Sequence, residues 1–295
     1  MNRVLEQWKK QGHFFNFNGP QIFYRDEGKG APLICIHGFP TSSWDWRYLI
    51  PELQKKFRII TLDMLGFGFS DKPQKHHYSI AEQADIHEAL LSLLGISEYH
   101  ILAHDFGTIV AQELLSRALN PAHIKPKPLS LFAMSGSIFP ELSKPRLIQK
   151  LLTSNVGVLI SKLFNEKKFA QSFNRVFSEQ KQPDSNTLNT YWQLLCTNRG
   201  NKILHKLNFF LKDRKVHGKR WSDAWQSSTL PVCYISGSED PMYGEDTLIK
   251  LKEVSHKKDI TSLAGVGHFP HIEEPEAVAR HLIGFLSSLK IKQSA

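Results

Sequence analysis

One ten-residue stretch, Ile101–Val110, constrains the fold of this chain more than any other. A short apolar run, Tyr99–Ala103, precedes Asp105, which has small residues two positions to either side, and a helical pattern begins near Gly107. A strand that reverses sharply into a helix needs small residues there, because any bulk would clash across the turn. The pattern predicts a nucleophile elbow, a strand–turn–helix unit that presents its central side chain above the edge of a sheet.

The central residue of this elbow is Asp105, where most elbows carry serine. A carboxylate is poorly suited to attacking an ester or amide carbonyl, since the product would be an anhydride. It is well suited to displacing a leaving group from a saturated carbon, since the product is then an ordinary ester. On this stretch alone, the competing interpretation is that Asp105 only caps the following helix.

The other apolar runs predict a mostly parallel sheet with helices on both faces. Strand patterns alternate with helical ones, including an amphipathic helix over Ser79–Leu94 that begins with a capping box, and a hairpin precedes the first buried strand. The hairpin is expected at Phe14–Phe17 and Gln21–Tyr24, and two buried strands at Ala31–Ile36 and Phe57–Leu62. Further strands are expected at Tyr99–Ala103, Leu129–Met134, Pro231–Ser236 and Asp259–Leu263.

The α/β alternation is interrupted by a segment without convincing strands. Residues 139–225 are predicted to form a helical cap inserted into a core made of 1–138 and 226–295. This segment holds 16 Lys and Arg against 6 Asp and Glu, a net of +10, whereas the whole chain carries +9. The basic charge is scattered among apolar residues, which favours solvated helix faces and argues against nucleic acid; a membrane surface or an anionic substrate is the alternative.

Three further features of the sequence bear on the cellular compartment of the protein. The cysteines, Cys35, Cys196 and Cys233, lack metal-ligand spacing, and two of them lie in apolar strand patterns, as reduced core thiols do. Met1–Lys10 is polar, and no stretch is long and apolar enough to span a membrane. We therefore expect a cytoplasmic protein without stable membrane insertion.

Polar residues follow four of the predicted strands, where the reactive groups of open α/β sheets gather. The first loop is His37–Pro40, the second holds Asp105, the third is Gly237–Pro241 with Asp240, and the last is Gly265–His271 with His268. Nucleophile, acid and histidine in this chain order are typical of α/β-hydrolases.

On these loops the chain resembles the α/β-hydrolase fold superfamily over nearly its whole length. Within it, the chain is similar to the branch with an aspartate nucleophile, which contains epoxide hydrolases and haloalkane and fluoroacetate dehalogenases. It is most similar to the mesoderm-specific transcript family of hydrolases, on Asp105–Gly107, Ile109–Leu115 and Gly136–Pro140.

The resemblance implies a role for each loop. Asp105 attacks carbon and forms an alkyl-enzyme ester, and His268, oriented by Asp240, activates the water that cleaves it. The backbone N–H groups of Phe39 and Phe106 form the oxyanion hole. No cofactor or metal is implied.

Several other polar residues in or near these loops have a structural role as the alternative to a role in the reaction. Glu239 competes with Asp240 for the role of the acid, although the position before Pro241 favours Asp240. We expect His37 and His104 to brace the oxyanion loop and the elbow, with substrate contact as the alternative, and Asp63 to bond within its glycine-rich turn.

For each enzyme class of this branch, the sequence lacks residues that the class typically uses to bind or activate its substrate. Haloalkane dehalogenases usually hold the halide with a side chain of the oxyanion loop and a tryptophan after the nucleophile, and fluoroacetate dehalogenases typically have arginine there; this chain has Phe39 and Phe106. Epoxide hydrolases activate the epoxide with two cap tyrosines, whereas this cap has only Tyr191. The position of the second tyrosine corresponds to Phe209 and Phe210, so the proton must come from elsewhere. The candidates are Tyr191, His205 and Tyr243.

The leading functional prediction is therefore an epoxide hydrolase-like enzyme acting on a small, apolar substrate, as a monomer or homodimer. The alternatives are a dehalogenase with an atypical halide site and a non-catalytic ligand-binding protein on the same scaffold. The aromatic residues of the cap line either a pocket or the core of the cap; they are Tyr191, Trp192, Phe209, Phe210 and Trp221. The basic residues of the cap orient an acidic substrate if they face the cleft; they are Lys144, Arg146, Lys202 and Lys206.

Overall fold

The computed structural model describes residues 1–123, 126–142, 147–154, 156–254 and 259–293. Its centre is an eight-stranded sheet in which the first two strands are antiparallel and the other six run parallel to one another. The strands are β1 (His13–Asn16), β2 (Gln21–Glu27), β3 (Ala31–Ile36), β4 (Phe57–Leu62), β5 (Glu98–His104), β6 (Lys127–Met134), β7 (Val232–Gly237) and β8 (Asp259–Leu263), in the order β1-β2-β4-β3-β5-β6-β7-β8.

Helices cover both faces of this sheet, as the alternating pattern predicted. The helices of the core are α1 (Arg3–Lys10), α2 (Ile50–Leu53), α3 (Ile80–Leu93), α4 (Phe106–Ala118), α11 (Glu245–Val254), α12 (Pro270–Glu273) and α13 (Pro275–Gln293). Those of the inserted segment are α5 (Leu147–Thr153), α6 (Gly157–Leu163), α7 (Glu166–Asn174), α8 (Ser185–Cys196), α9 (Leu204–Leu207) and α10 (Phe210–Ser227). Four 3-10 segments lie at Ser43–Tyr48, Pro140–Leu142, Glu179–Lys181 and Thr197–Ile203.

The two faces of the sheet each contribute to a separate apolar core. On the central strand β5, Ile101 and Ala103 point into one core and Leu102 points into the other, because successive side chains of a strand alternate between its faces. Strands that are buried on both faces read as continuous apolar runs. For this reason the sequence predicted β3 and β4 with their observed bounds.

The described residues of the inserted segment form α-helices and 3-10 turns. Left-handed φ values at Asn198 and Arg199 kink the 3-10 segment Thr197–Ile203, and α10 begins only at Phe210, after α9 has ended at Leu207. Helix α10 is 18 residues long and escaped prediction because its apolar face is sparse. The basic helices α1 and α7 were also missed.

Helix α10 leaves the cap and packs along α4 of the core. Glu113 on α4 accepts hydrogen bonds from the Trp221 indole, at 2.6 Å, and from the Arg220 guanidinium. The amide of Gln112 donates to the Trp221 carbonyl at 3.4 Å. These buried polar contacts fix the end of the cap against the sheet layer that carries the elbow.

Several smaller predictions from the sequence can be compared with individual contacts in the structure. The Ser79 hydroxyl caps α3 by accepting the Glu82 N–H at 3.1 Å, and Asp63 accepts the Phe69 N–H at 2.6 Å within its turn, both as expected. Cys35 and Cys233 are buried free thiols on strands. Among the described residues, no helix is long and apolar enough to cross a membrane.

Candidate active site

The elbow between β5 and α4 holds Asp105 in a rare backbone conformation. Asp105 has φ 48° and ψ −117°, a region that L-residues seldom occupy and that the surrounding structure must stabilise. A side chain at Gly107 would place its Cβ 2.3 Å from the Ile36 carbonyl oxygen, so only glycine fits between the elbow and β3. The side chain of Asp105 is thus presented above the carboxyl ends of the central strands.

Three loops bring together the side chains of Asp105, His268 and Asp240. The His268 Nε2 lies 3.6 Å from Asp105 Oδ1, and its Nδ1 lies 3.0 Å from Asp240 Oδ2. Asp240 Oδ1 accepts the backbone N–H groups of Met242, at 2.8 Å, and Tyr243, at 3.2 Å. The Asp240 carboxylate is therefore held by three groups, whereas Glu239 beside it is exposed.

The electrostatics of the three groups are those of an imidazolium between two carboxylates. Burial alone would lower the pKa of His268, but the charge of Asp240 and the contacts with Asp105 raise this pKa to about 10. Burial would likewise raise the pKa of Asp105 and of Asp240, but the hydrogen bonds and charge of His268 hold both below their ordinary value. Asp105 is therefore ionised, as a nucleophile must be.

A backbone donor polarises one oxygen of Asp105. The Phe39 N–H donates to Asp105 Oδ2 at 3.0 Å, which leaves Oδ1 as the oxygen that faces His268. Phe106 is the first residue of α4, where a backbone N–H has no acceptor within the helix. Of the two N–H groups predicted as an oxyanion hole, that of Phe39 contacts the Asp105 carboxylate, and that of Phe106 belongs to the next residue along the chain.

The two histidines next to these loops are buried and have backbone partners. His37 accepts the Met64 N–H at Nε2 and donates from Nδ1 to the Gly38 carbonyl, while burial lowers its pKa to about 3. His104 donates a hydrogen bond from Nε2 to the His268 carbonyl at 2.7 Å, which links the elbow to the loop that carries His268. These contacts support the bracing interpretation, and neither ring lines the cavity described below.

One buried group of described residues has metal-binding side chains: Asp45, His104 and His271. Their ligand atoms lie within 4.8 Å of one another. The Asp45 carboxylate already accepts the hydroxyls of Thr41, at 2.5 Å, and Tyr191, at 2.9 Å. We therefore assign this group a structural role beneath His268.

A cavity of about 650 Å³, counting its open mouth, ends at Asp105 and His268. Apart from these two residues its walls are mainly apolar, with only two further polar side chains, which fits an apolar small molecule. The core contributes Phe39, Pro40, Met242 and Phe269, and the cap contributes Gln149, Leu152, Phe164, Phe169, Ser172, Phe173, Val176 and Leu204.

The aromatic cap residues named from the sequence are not among the residues that line this cavity. Trp192 packs on Phe164 and Phe169, and the Tyr191 hydroxyl bonds Asp45 rather than facing the cavity. Phe209 and Phe210 pack edge-on against Phe106 with ring centroids 5.6 and 5.2 Å apart, next to the elbow, and Trp221 is held by Glu113. Lys144 and Arg146 lie outside the described residues.

The wall residues on α7 were not predicted, because polar and charged side chains separate the aromatic ones in this helix. Phe169 and Phe173 are four residues apart on α7 and face the cavity together. This i, i+4 spacing of aromatic residues within a basic segment was the signal that could have identified them.

Of the three proton donors considered from the sequence, Tyr243 lies beside the His268 ring. Its ring centroid is 5.8 Å from that of His268, and its side chain is hydrogen-bonded to Arg214 of α10. Burial raises the pKa of Tyr243 and keeps its hydroxyl protonated. The His205 ring instead bonds Ser161 at the other side of the cap.

Comparison with known proteins identifies the same fold. The family model described as alpha/beta hydrolase fold matches residues 31–275. The mesoderm-specific transcript homolog protein of Homo sapiens is 38% identical over 98% of this chain and 89% of its own length. The soluble epoxide hydrolase of Corynebacterium sp. (strain C12) is 25% identical over 94% of this chain and 98% of its own length.

Solved structures are similar over the whole chain as well. A loop variant of the haloalkane dehalogenase DbeA from Bradyrhizobium elkanii superposes with a TM-score of 0.81 at 21% identity. The match covers 96% of this chain and 98% of the other. At this identity the likeness concerns the fold.

Proposed function

Because this chain belongs to the alpha/beta hydrolase fold family, we propose that it is a hydrolase that acts through an ester on Asp105, with an epoxide as the electrophile. The observation that carries the proposal is a carboxylate in the elbow, bonded by the Phe39 N–H and paired with His268. Such a carboxylate forms a stable ester with a saturated carbon, and the neighbouring histidine then hydrolyses that ester. The similarity to a soluble epoxide hydrolase supports this electrophile.

In the first step Asp105 Oδ1 attacks a ring carbon of the epoxide. The carbon–oxygen bond of the ring breaks, and its electron pair remains on the epoxide oxygen. We assign the proton for this oxygen to the Tyr243 hydroxyl, because the Arg214 guanidinium beside it stabilises the resulting phenolate. The product is a hydroxyalkyl ester of Asp105.

In the second step His268 activates water against that ester. Esterification removes the negative charge of Asp105, one of the two charges that raise the pKa of His268, so that the imidazole loses its proton more readily. His268 Nε2 then takes a proton from water, and the hydroxide attacks Cγ of Asp105. The N–H groups of Phe39 and Phe106 bind the oxyanion, and as it collapses His268 gives the proton that it took from water to the departing alkoxide oxygen, which completes the diol. The proton that His268 released before this step passes through solvent to the Tyr243 phenolate, and the regenerated Asp105 carboxyl group returns its own proton to His268.

A trapping experiment tests the proposal. In His268→Gln the ester should accumulate, so intact mass after exposure to a panel of epoxides should increase by the mass of one epoxide. The adduct should be absent from the double variant that also carries Asp105→Ala, and the exposed His281→Gln should turn over without accumulation.

Two results would redirect the assignment. An adduct formed only with haloalkanes would identify a dehalogenase whose halide site uses neither the Phe39 nor the Phe106 side chain. The absence of any adduct with both classes, in a folded variant, would favour the ligand-binding alternative.

A further inference from the structure

Helix α6 of the cap has its apolar residues on the outside. Val156, Leu159 and Leu163, spaced at i, i+3 and i+7, share one stripe and are 49%, 55% and 55% exposed. The side of α6 that faces the protein carries the small residues Gly157 and Ser161, both buried, and one larger apolar residue, the partly buried Ile160. A helix of a globular protein normally has the opposite arrangement.

The stripe belongs to a larger apolar patch. Val158 on α6 is 50% exposed and Leu151 on the neighbouring α5 is 37% exposed. We call Leu151, Val156, Val158, Leu159 and Leu163 the α6 patch. Single exposed apolar residues are ordinary on a protein surface, but five within 13 residues mark an interaction surface.

The α6 patch is surrounded by positive charge. Residues 147–168 contain four lysines and one glutamate, a net of +3, within a cap segment of net +10. Lys150 and Lys162 are exposed on the same two helices, and the Lys168 ammonium lies at the carbonyl of Leu163, at 3.3 Å. The carboxylate of Glu166 accepts a hydrogen bond from Asn189. An apolar surface within a basic rim is complementary to an anionic lipid surface, where aliphatic side chains enter the acyl boundary and lysines meet the head groups.

The α6 patch lies next in sequence to two residues of the cavity wall. Leu152 and Phe164, which flank the helix in sequence, both line the cavity that ends at Asp105. An apolar substrate dissolved in a bilayer would therefore reach the cavity without crossing water.

We propose that the α6 patch docks the protein on anionic bilayer surfaces, as a peripheral contact that places the mouth of the cavity against the lipid. The contact does not depend on the chemistry at Asp105, and it requires no membrane-spanning helix. Its affinity has two parts, aliphatic burial and counter-charge, and only the second is screened by salt.

Co-sedimentation with vesicles of phosphatidylcholine containing about one third phosphatidylglycerol tests the proposal. The wild type should bind these vesicles, bind pure phosphatidylcholine at least tenfold more weakly, and lose affinity as salt is raised. Leu159→Gln combined with Leu163→Gln should weaken binding by about a hundredfold, since burying each leucine contributes about a factor of ten. The matched control is Val216→Gln, which removes an apolar side chain that is 75% exposed on α10 and should leave binding unchanged.

Both variants are compared at equal helicity and melting temperature, so that loss of folding is not read as loss of binding. Equal loss of binding in the Val216 control, or no vesicle binding by the wild type, would overturn the proposal. A concentration-dependent dimer that the double variant abolishes, without vesicle binding, would also overturn it and assign the α6 patch to a second copy of the chain.

Discussion

At the scale of single residues, the two carboxylates beside His268, those of Asp105 and Asp240, have different surroundings that suit different roles. Asp105 is strained, bonded by one backbone N–H and open to the cavity, while Asp240 is held by two backbone N–H groups and the imidazole. The first geometry suits attack on a substrate, and the second suits orientation of a base. The two halves of the reaction should therefore respond differently to substitution.

Asp240→Asn should leave formation of the Asp105 ester nearly intact and slow its hydrolysis by about 10²- to 10⁴-fold, since the histidine loses its orienting charge. Rapid-quench kinetics should then show a burst of one equivalent of ester followed by slow release of product. The neighbouring Glu239→Gln, at an exposed position, is the control and should behave as wild type. Equal slowing of both steps would argue against this division.

Tyr243→Phe should slow ester formation from epoxides by about 10²- to 10⁴-fold, the usual contribution of a general acid. Measured by intact mass over time in the His268→Gln background, the effect should be small for alkyl iodides, whose leaving group needs no proton. Tyr78→Phe removes another buried hydroxyl, one that donates to the Pro73 carbonyl, and serves as the control. Unchanged epoxide kinetics in Tyr243→Phe, with trapping intact, would exclude Tyr243 while leaving the ester mechanism in place.

At the scale of secondary structure, α10 connects the cap to the core. Its first turn carries Phe210 against the elbow, its middle carries Arg214 beside Tyr243, and its last turns lie on α4 through Glu113. One helix therefore positions both the aromatic packing behind the elbow and the arginine beside Tyr243 relative to the sheet. Its anchoring to α4 should determine the stability of this arrangement.

Glu113→Gln should lower the free energy of unfolding by about 1–3 kcal/mol, because Glu113 is buried and accepts hydrogen bonds from Arg117, Arg220 and Trp221. On the outer face of the same helix α10, Asp223→Asn removes an ion pair with Lys219 whose side chains are 55% and 88% exposed. That change should stay within about 0.5 kcal/mol. Urea unfolding midpoints compare the two, and equal effects would contradict the anchoring role.

At the scale of the whole molecule, several histidines are buried in neutral form. Burial lowers the pKa of His87, inside α3, to about 4, and it lowers that of His37 to about 3. In the unfolded chain a histidine takes up a proton below about pH 6.5, whereas these folded rings stay neutral until lower pH. The stability that they contribute is therefore complete above pH 6.5 and is lost as the pH falls through that value.

For His87 alone, this linkage amounts to about 2 kcal/mol between pH 7.5 and pH 5.0. Urea unfolding at the two pH values should show a loss of stability for the wild type, and His87→Gln should reduce that loss by about 2 kcal/mol. The exposed His13→Gln is the control. An identical loss in His87→Gln and wild type would show that His87 is not neutral in the folded protein at pH 5.

The amino-acid sequence by itself determined the elbow, the central strands and the chain order of Asp105, Asp240 and His268. These features depend on local rules: a strained turn needs glycine at 107, a buried parallel strand is continuously apolar, and reactive loops follow strand ends. Only the tertiary structure decided which side chains line the cavity, that Tyr191 bonds Asp45, and that α6 turns its leucines outward. Those outcomes depend on contacts between residues up to about 150 positions apart, and a periodic pattern states which residues share a face without stating what that face meets.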